Sequence, residues 1–225
     1  MILLLFGPPG SGKGTQARML SSWLRVPAIS TGEMLRSEAE HSTPLGLAVQ
    51  RIMLSGGLVR DELVNEILVD RLRRSDCRTG FVLDGFPRTA AQAKFLDDHL
   101  ALEREQPMRV IHLDLSRDTL ITRMSSRRQC PACGRIYNLL HQPPLKMGVC
   151  DDDGSALIRR KDDHHSAIQQ RLLAYETMAA AVLEYYRGRG LQGVNGNQNA
   201  DLVFEDIAAA LEPVVRIRTQ RLRSE

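Results

Sequence analysis

A run of apolar residues from Ile2 to Phe6 leads into a glycine-rich turn, and from about Lys13 to Leu24 the apolar positions recur at helical spacing. A strand-length apolar run passing through a turn into a helix predicts the first half of a βα unit. Further strand-like runs occur at Phe81-Val82-Leu83 and Val110 to Leu113, with weaker ones at Val26 to Ile29 and Leu191 to Val194. Helix-length segments separate them, the pattern of a parallel sheet covered on both faces. Two stretches break this rhythm. Ser30 to Val59 consists of short helical pieces without a convincing strand and predicts an inserted helical flap. Ser126 to about Asp163 holds three of the four cysteines, Pro131, Pro143, Pro144 and the turn Asp151-Asp152-Asp153-Gly154. That is too long for a plain connection and predicts a lid or small subdomain. Helical spacing returns from His164 to Tyr186. No internal repeat or low-complexity tract is present, and the end after Glu212, with Arg216, Arg218, Arg221 and Arg223, reads as a solvated, partly frayed terminus.

With 225 residues, 43% hydrophobic and 25% charged, the chain has the makeup of a globular protein large enough for one substantial core, and disordered or fibrous classes are excluded. The apolar MILLLF opening has neither a basic lead nor a small-residue cleavage site, and no apolar run approaches the ~20 residues of a membrane span, so a cytoplasmic protein is expected. A net charge of +3 argues against general binding of nucleic acid or membranes. Arginine greatly outnumbers lysine, which suits bidentate recognition of phosphate or carboxylate, although a coding bias produces the same skew.

The chemistry begins at Gly7-Pro8-Pro9-Gly10-Ser11-Gly12-Lys13, a GxxxxGK string directly after the first strand and before the first helix. Its glycines let backbone N–H groups turn inward, the helix N-terminus adds partial positive charge, and Lys13 reaches the outer phosphates of a nucleotide. Gly14, and only then Thr15, follows the lysine, where a hydroxyl more commonly serves Mg²⁺. Asp84 closes the run Phe81-Val82-Leu83, the place for a carboxylate that holds a metal through water.

The string Gly7 to Gln16, GPPGSGKGTQ, resembles the opening of adenylate kinases. Ser30 to Arg36, STGEMLR, is similar to the family's AMP-flap motif, Gly57-Leu58-Val59 to the end of that flap, and Phe81 to Thr89, FVLDGFPRT, to its signature. Arg123, Arg127, Arg160, the pair Asp162-Asp163 and Arg171 fall where the family has its lid arginines and hinge acids, so the resemblance runs from Ile2 to about Phe204. It implies a P-loop nucleoside-monophosphate-kinase fold of class α/β, with a core (1–29, 60–125 and 164–225), an AMP-binding flap (30–59) and a lid (126–163). The implied reaction is ATP + AMP ⇌ 2 ADP, with ATP as its Mg²⁺ complex. Lys13, Arg88, Arg127, Arg160 and Arg171 would be catalytic. ATP would meet Gly10, Ser11, Gly12, Lys13, Gly14 and Thr15, with Arg123, Arg127, Ile136, Tyr137 and Gln198. AMP would meet Thr31, Arg36, Gly57, Leu58, Val59, Gly85, Arg88 and Gln92, with Arg160 and Arg171. Asp84 would hold Mg²⁺ through water. One chain then carries both nucleotide sites, and a monomer is expected. Independently of family, transfer between two polyanions asks for charge neutralisation and alignment, and the attacking phosphate oxygen is already anionic, so no general base is needed.

Cys130-Pro-Ala-Cys133 and Cys150-Asp-Asp-Asp153 form two short knuckles separated by sixteen residues, the spacing of a tetrahedral zinc ribbon. Zinc-bearing lids of adenylate kinases resemble this, including a version with Asp as fourth ligand, and a structural Zn²⁺ is the expectation. His141 in the same loop, or no metal, are the alternatives to Asp153. Cys77 reads as a buried bystander. Two departures from the family lie at the lid hinge: Ser125-Ser126 in place of Thr-Gly, and His164-His165-Ser166 after the acid pair in place of the usual Asn and Glu. A kinase for a pyrimidine monophosphate and a zinc-ribbon nucleic-acid binder with a nucleotide switch are the rival readings.

Overall fold

The computed structural model describes the backbone of residues 1–103 and 107–221 and the side chains of 1–101 and 107–215. The expectation for the arginine-rich terminus, which concerns the side chains of Arg216, Arg218 and Arg221 and all of Arg223, lies outside the described residues. Strand β1 (Ile2–Phe6) enters the phosphate loop and α1 (Lys13–Leu24), both with the bounds that the apolar pattern predicts. Strands β2 (Ala28–Ser30), β3 (Phe81–Asp84), β4 (Met108–Asp114) and β7 (Leu191–Asn195) complete a five-stranded parallel sheet in the order β2-β3-β1-β4-β7. The register pairs Leu4 with Leu83 on one side of β1 and with Val110 on the other.

Strand β2 lies two residues later than the apolar run Val26 to Ile29 suggested. Pro27 has no N–H to donate, and its carbonyl instead accepts from Val82 N at 2.9 Å. Pro27 thus meets β3 as an acceptor alone, and the paired strand begins at Ala28.

Alternation along the strands sends side chains to two faces. Ile2, Leu4, Phe6, Phe81 and Leu83 face a core closed by α2 (Thr31–Glu40), α3 (Pro44–Ser55), α4 (Asp61–Leu72), α5 (Ala90–Glu103) and the C-terminal half of α7 (His165–Tyr186). Leu3, Leu5, Val82 and Ile111 face a second core under α1, α6 (Arg117–Ser125), the start of α7 and α8 (Ala200–Arg221). Both faces are buried, which is why the strands read as continuous apolar runs rather than alternating ones. Helix α8 continues through Pro213 as far as Arg221, although the ring removes one intrahelical donor. No helix among the described residues is long and apolar enough to cross a membrane.

The chain leaves β1 for the β2–β3 side and later crosses to β4, so the strand order reverses at β1. In open parallel sheets the crevice at the carboxyl ends of strands beside such a reversal is where ligands bind. Segment 30–59 contributes α2 and α3 over one rim of this crevice. Segment 126–163 contributes a hairpin, β5 (Arg127–Gln129) against β6 (Ile136–Asn138), with Arg128 opposite Tyr137. Its core is only Cys130, Tyr137 and Cys150, with Leu157 packed against them.

Candidate active site and metal centre

Between the strand ends, the flap helices and the hairpin lies a cavity of about 860 Å³. At its base the phosphate loop curls with positive φ at Gly7, Gly10 and Gly12. Gly7 has no alternative, since a Cβ there would stand 2.7 Å from the Leu113 carbonyl oxygen. Gly12 caps α1 without a side-chain hydrogen bond, and the first turn of α1 holds no acidic residue. The positive end of the helix is thus left open to an anion in the cavity. Lys13 Nζ donates to the carbonyls of Gly7 and Pro8, both at 2.8 Å, and to Ser11 Oγ at 3.3 Å, which holds the ammonium over the loop. Desolvation at the cavity base, only partly opposed by Asp84 and reinforced by Arg88, Arg171 and Arg127, brings Lys13 down to about 8.

The cavity gathers the guanidinium groups that sequence spacing had scattered. Arg36, Arg88, Arg123, Arg127, Arg160 and Arg171 all line it. Two acids hold part of this charge. Arg127 Nε donates to Asp163 Oδ2 at 2.8 Å, and Arg171 Nη1 donates to Asp163 Oδ1 at 3.0 Å and Asp162 Oδ2 at 3.1 Å. Asp163 has no exposed side-chain surface, and Arg36 lies 4.0 Å from Asp162. Burial works to raise Asp162, but Arg171 foremost, then Arg36, Arg127 and Arg160, outweigh it and keep the carboxyl below its ordinary range. Burial foremost, with the neighbouring Arg127 adding to it, pushes Arg160 and Arg171 down from the usual guanidinium range, and Asp162 and Asp163 offset only part of that.

Of the residues assigned to ATP, Gly10, Ser11, Gly12, Lys13, Gly14, Thr15, Arg123, Arg127, Ile136, Tyr137 and Gln198 all line the cavity. Arg123 Nη2 donates to the Gln198 carbonyl at 3.0 Å, tying α6 to the loop before α8. Of those assigned to AMP, Arg36, Leu58, Gly85, Arg88, Arg160 and Arg171 line it, as does Asp84. Thr31, Gly57, Val59 and Gln92 are not brought to its surface. Gln92 is 3% exposed, its Oε1 accepts from Arg88 N at 2.7 Å, and its Nε2 donates to Asp61 Oδ1 at 2.8 Å. Both ends of its amide therefore brace the segment that carries Arg88. Thr31 Oγ1 donates to the Asp84 carbonyl at 3.4 Å.

Arg18 escaped the sequence reading. It lines the cavity and donates to the Gly134 carbonyl in the lid at 2.8 Å. Its position one helical turn beyond Gly14, on the face of α1 that follows the loop, was the available signal. His112 Nε2 and Tyr175 OH, 2.9 Å apart, also went unnoticed. They meet across sixty-three residues, which no local pattern reports. At the lid hinge, Ser125 and Ser126 turn their hydroxyls back to the carbonyls of Ile121 and Thr122, at 2.8 and 2.7 Å.

The lid holds a second cluster. The Sγ atoms of Cys130, Cys133 and Cys150 and a carboxylate oxygen of Asp153 all lie within 4.8 Å of one another. Cys133 Sγ to Cys150 Sγ measures 3.6 Å and Cys130 Sγ to Asp153 Oδ2 3.2 Å, close to the edges of a tetrahedron with bonds of about 2.0–2.3 Å. A hydrogen bond from Ser155 N holds Asp153 below the usual carboxylate range. The neighbouring acids are otherwise engaged, Asp152 with Arg135 and Asp151 with Leu145 N. Of the two candidate fourth ligands, Asp153 joins the thiols while His141 lines the nucleotide-sized cavity. Tyr137, which lines the cavity, turns its hydroxyl to Cys150 Sγ at 3.4 Å.

A sequence profile of the adenylate kinase family matches residues 5–191. A protein named adenylate kinase from Pseudothermotoga lettingae is 43% identical over 96% of the chain and 100% of its own length. Relatives of the same name from Trichlorobacter lovleyi and Clostridium acetobutylicum are 46% and 41% identical, each over 94% of the chain and 99% of their own lengths.

Removing the carboxylate that Arg127 and Arg171 share leaves Arg127 without its hydrogen-bonded acid and Arg171 with Asp162 alone. Asp163→Asn is expected to lower the free energy of unfolding by about 3 kcal/mol, measured by urea denaturation, with part of the loss restored by added phosphate. A loss below about 0.5 kcal/mol would place these pairs with solvent-screened surface bridges.

Proposed function

Since the chain belongs to the adenylate kinase family, whose reaction is ATP + AMP ⇌ 2 ADP, we propose that its cavity holds both nucleotides end to end with the phosphates meeting over Lys13. The observation that carries this reading is the convergence of Lys13, Arg36, Arg88, Arg127, Arg160 and Arg171 on one cavity at the mouth of an uncapped helix. Two phosphate chains that must approach within bonding distance repel each other, and fixed cations that need no rearrangement lower that barrier most.

ATP enters as its Mg²⁺ complex on the loop Gly10 to Thr15. Its base lies between Arg123, the Ile136-Tyr137 strand and the Gln198 loop. Asp84, beside Gly14 at the strand end, takes the hydrated metal. AMP lies under the flap, its phosphate on Arg36 and Arg88 and its base against Leu58, with Gly85 beneath, while Thr31, Gly57 and Val59 stand behind that surface. Gln92 supports this side through Arg88. The AMP phosphate oxygen attacks the terminal phosphorus of ATP in line, and the bond to the departing ADP oxygen breaks. Lys13, Arg88, Arg127, Arg160 and Arg171 carry the charge of the transferred group. No side chain removes a proton, because the attacking oxygen has none to lose. The core, flap and lid are proposed as 1–29 with 60–125 and 164–225, 30–59, and 126–163.

The Cys130, Cys133, Cys150 and Asp153 set fits Zn²⁺, which when bound supplies cross-links that a lid with a three-residue core lacks. The four ligands are closed around one another, so the role proposed is structural.

ADP formation from Mg²⁺-ATP is expected with AMP as acceptor and to be at least about 10²-fold weaker with CMP, UMP or GMP, the discrimination available when hydrogen-bonding groups are left unpaired. Preference for a pyrimidine acceptor would overturn the base assignment, and transfer to no acceptor would overturn the reading as a whole. Because the free chain holds Lys13 near 8, ATP binding restores a proton to it above that pH. Affinity for ATP, measured calorimetrically without AMP, is expected to be full below about pH 8 and to fall by up to about tenfold toward pH 9. Metal analysis is expected to give one zinc per chain. Its removal by a chelator, or Cys150→Ser, is expected to lower the thermal midpoint and raise KM for ATP more than KM for AMP. A midpoint and KM values unmoved by metal removal would sink the structural role.

A further inference from the structure

The departure at the lid hinge gives His164 a place that the fold does not otherwise fill. His164 is the N-cap of α7, with extended backbone (φ −75°, ψ 158°), and its Nδ1 accepts from Ala167 N at 3.2 Å. A backbone N–H only donates, so Nδ1 carries no proton, and in a neutral imidazole the proton then resides on Nε2. Nε2 donates to the Leu54 carbonyl at 3.0 Å. Leu54 belongs to the last turn of α3, whose carbonyls find no N–H within the helix. The N–H groups of Gly56 and Gly57 turn back to Ile52 and Met53. One ring thus serves a bare donor at the start of α7 and a bare acceptor at the end of α3.

The two helix ends are in contact independently of the ring. Gly56 has φ +79°, and a Cβ there would lie 2.7 Å from the Ala167 carbonyl oxygen, so this approach is open only to glycine. Immediately beyond Gly56 runs the segment Gly57-Leu58-Val59, and two turns along α7 stands Arg171 in the cavity.

We propose that His164 is a positioning residue for the acceptor subsite, its imidazole fixing the C-terminal end of the flap to the start of α7 so that Gly57 to Val59 and Arg171 keep their spacing. This rests on the reading of the flap as the AMP side. The ring touches neither nucleotide and acts through the two elements it joins. Side chains of the usual N-cap type, such as Asn, satisfy Ala167 N but are too short to reach Leu54 as well.

His164→Asn separates the two duties, because it keeps the α7 cap and loses the link to α3, whereas His164→Ala loses both. The test is steady-state kinetics with AMP and ATP varied separately, alongside thermal denaturation of the full chain. The Asn variant is expected to retain the wild-type thermal midpoint and KM for ATP while KM for AMP rises about fivefold, the factor that one net hydrogen bond carries. The Ala variant is expected to show the same rise together with a lower midpoint. Unchanged KM for AMP in the Asn variant overturns the proposal, and so does an equal rise in both KM values or a rise that appears only with lost stability. In either case a wild-type chain that phosphorylates AMP leaves the functional reading standing. A wild-type chain that accepts no monophosphate overturns that reading and this inference with it.

Discussion

Concentrated positive charge that must be held before any ligand arrives is the constraint around which this molecule is organised. Lys13 and seven arginines face one cavity, together with an uncapped helix N-terminus. In the free chain burial of these charges, with repulsion between neighbouring cations adding to it, opposes folding, and the depressed Lys13, Arg160 and Arg171 are the local expression of that cost. Two devices offset it. A sheet buried on both faces supplies enough apolar area to hold the strand ends in place, and Asp162 with Asp163 takes part of the charge of Arg36, Arg127 and Arg171. The acids stand on the segment joining lid to core, so the same pairs that stabilise the free chain also set where the lid arginines rest.

Much of this was legible along the chain because it is local. The phosphate loop is a contiguous string whose strand, turn and helix follow from five apolar residues, three glycines at positive φ and a helical repeat. The parallel sheet was legible because strands buried on both faces are apolar throughout. The displaced start of β2 shows the limit of that signal, since apolarity marks burial while pairing depends on a donor that Pro27 lacks. The cysteine knuckles were readable for the same reason as the loop: each pair of ligands lies within four residues.

What stayed hidden was set by distance. Gln92 has a side chain suited to reading a base, yet its amide is taken up by Asp61, thirty-one residues earlier, and by Arg88 N. Nothing in the local sequence announces that partner. Arg18 reaches Gly134 across more than a hundred residues, and His164 reaches Leu54 across a similar span. A histidine in the first turn of a helix reads as an exposed residue, and His164 is indeed exposed, but its two ring nitrogens are both committed. Sequence spacing identifies which chemistry a residue type offers. Packing decides which neighbour claims it.

The lid illustrates how function limits what folding can use. The segment that stands over the cavity does not share a large core with the sheet, and its own apolar interior is reduced to Tyr137 among cysteines. Side chains that a larger domain would spend on packing here form a cluster of three thiols and a carboxylate, and Tyr137 touches both it and the cavity: the residue lines the cavity while its hydroxyl contacts Cys150 and accepts from Asp151 N at 2.8 Å. The thiol–carboxylate cluster and the cavity are thereby joined through one residue of β6. The two ends of the segment meet where Arg127 pairs with Asp163. Arg127 and Arg171 both line the cavity and share Asp163, so the groups that give the cavity its charge also fix where this segment joins the core.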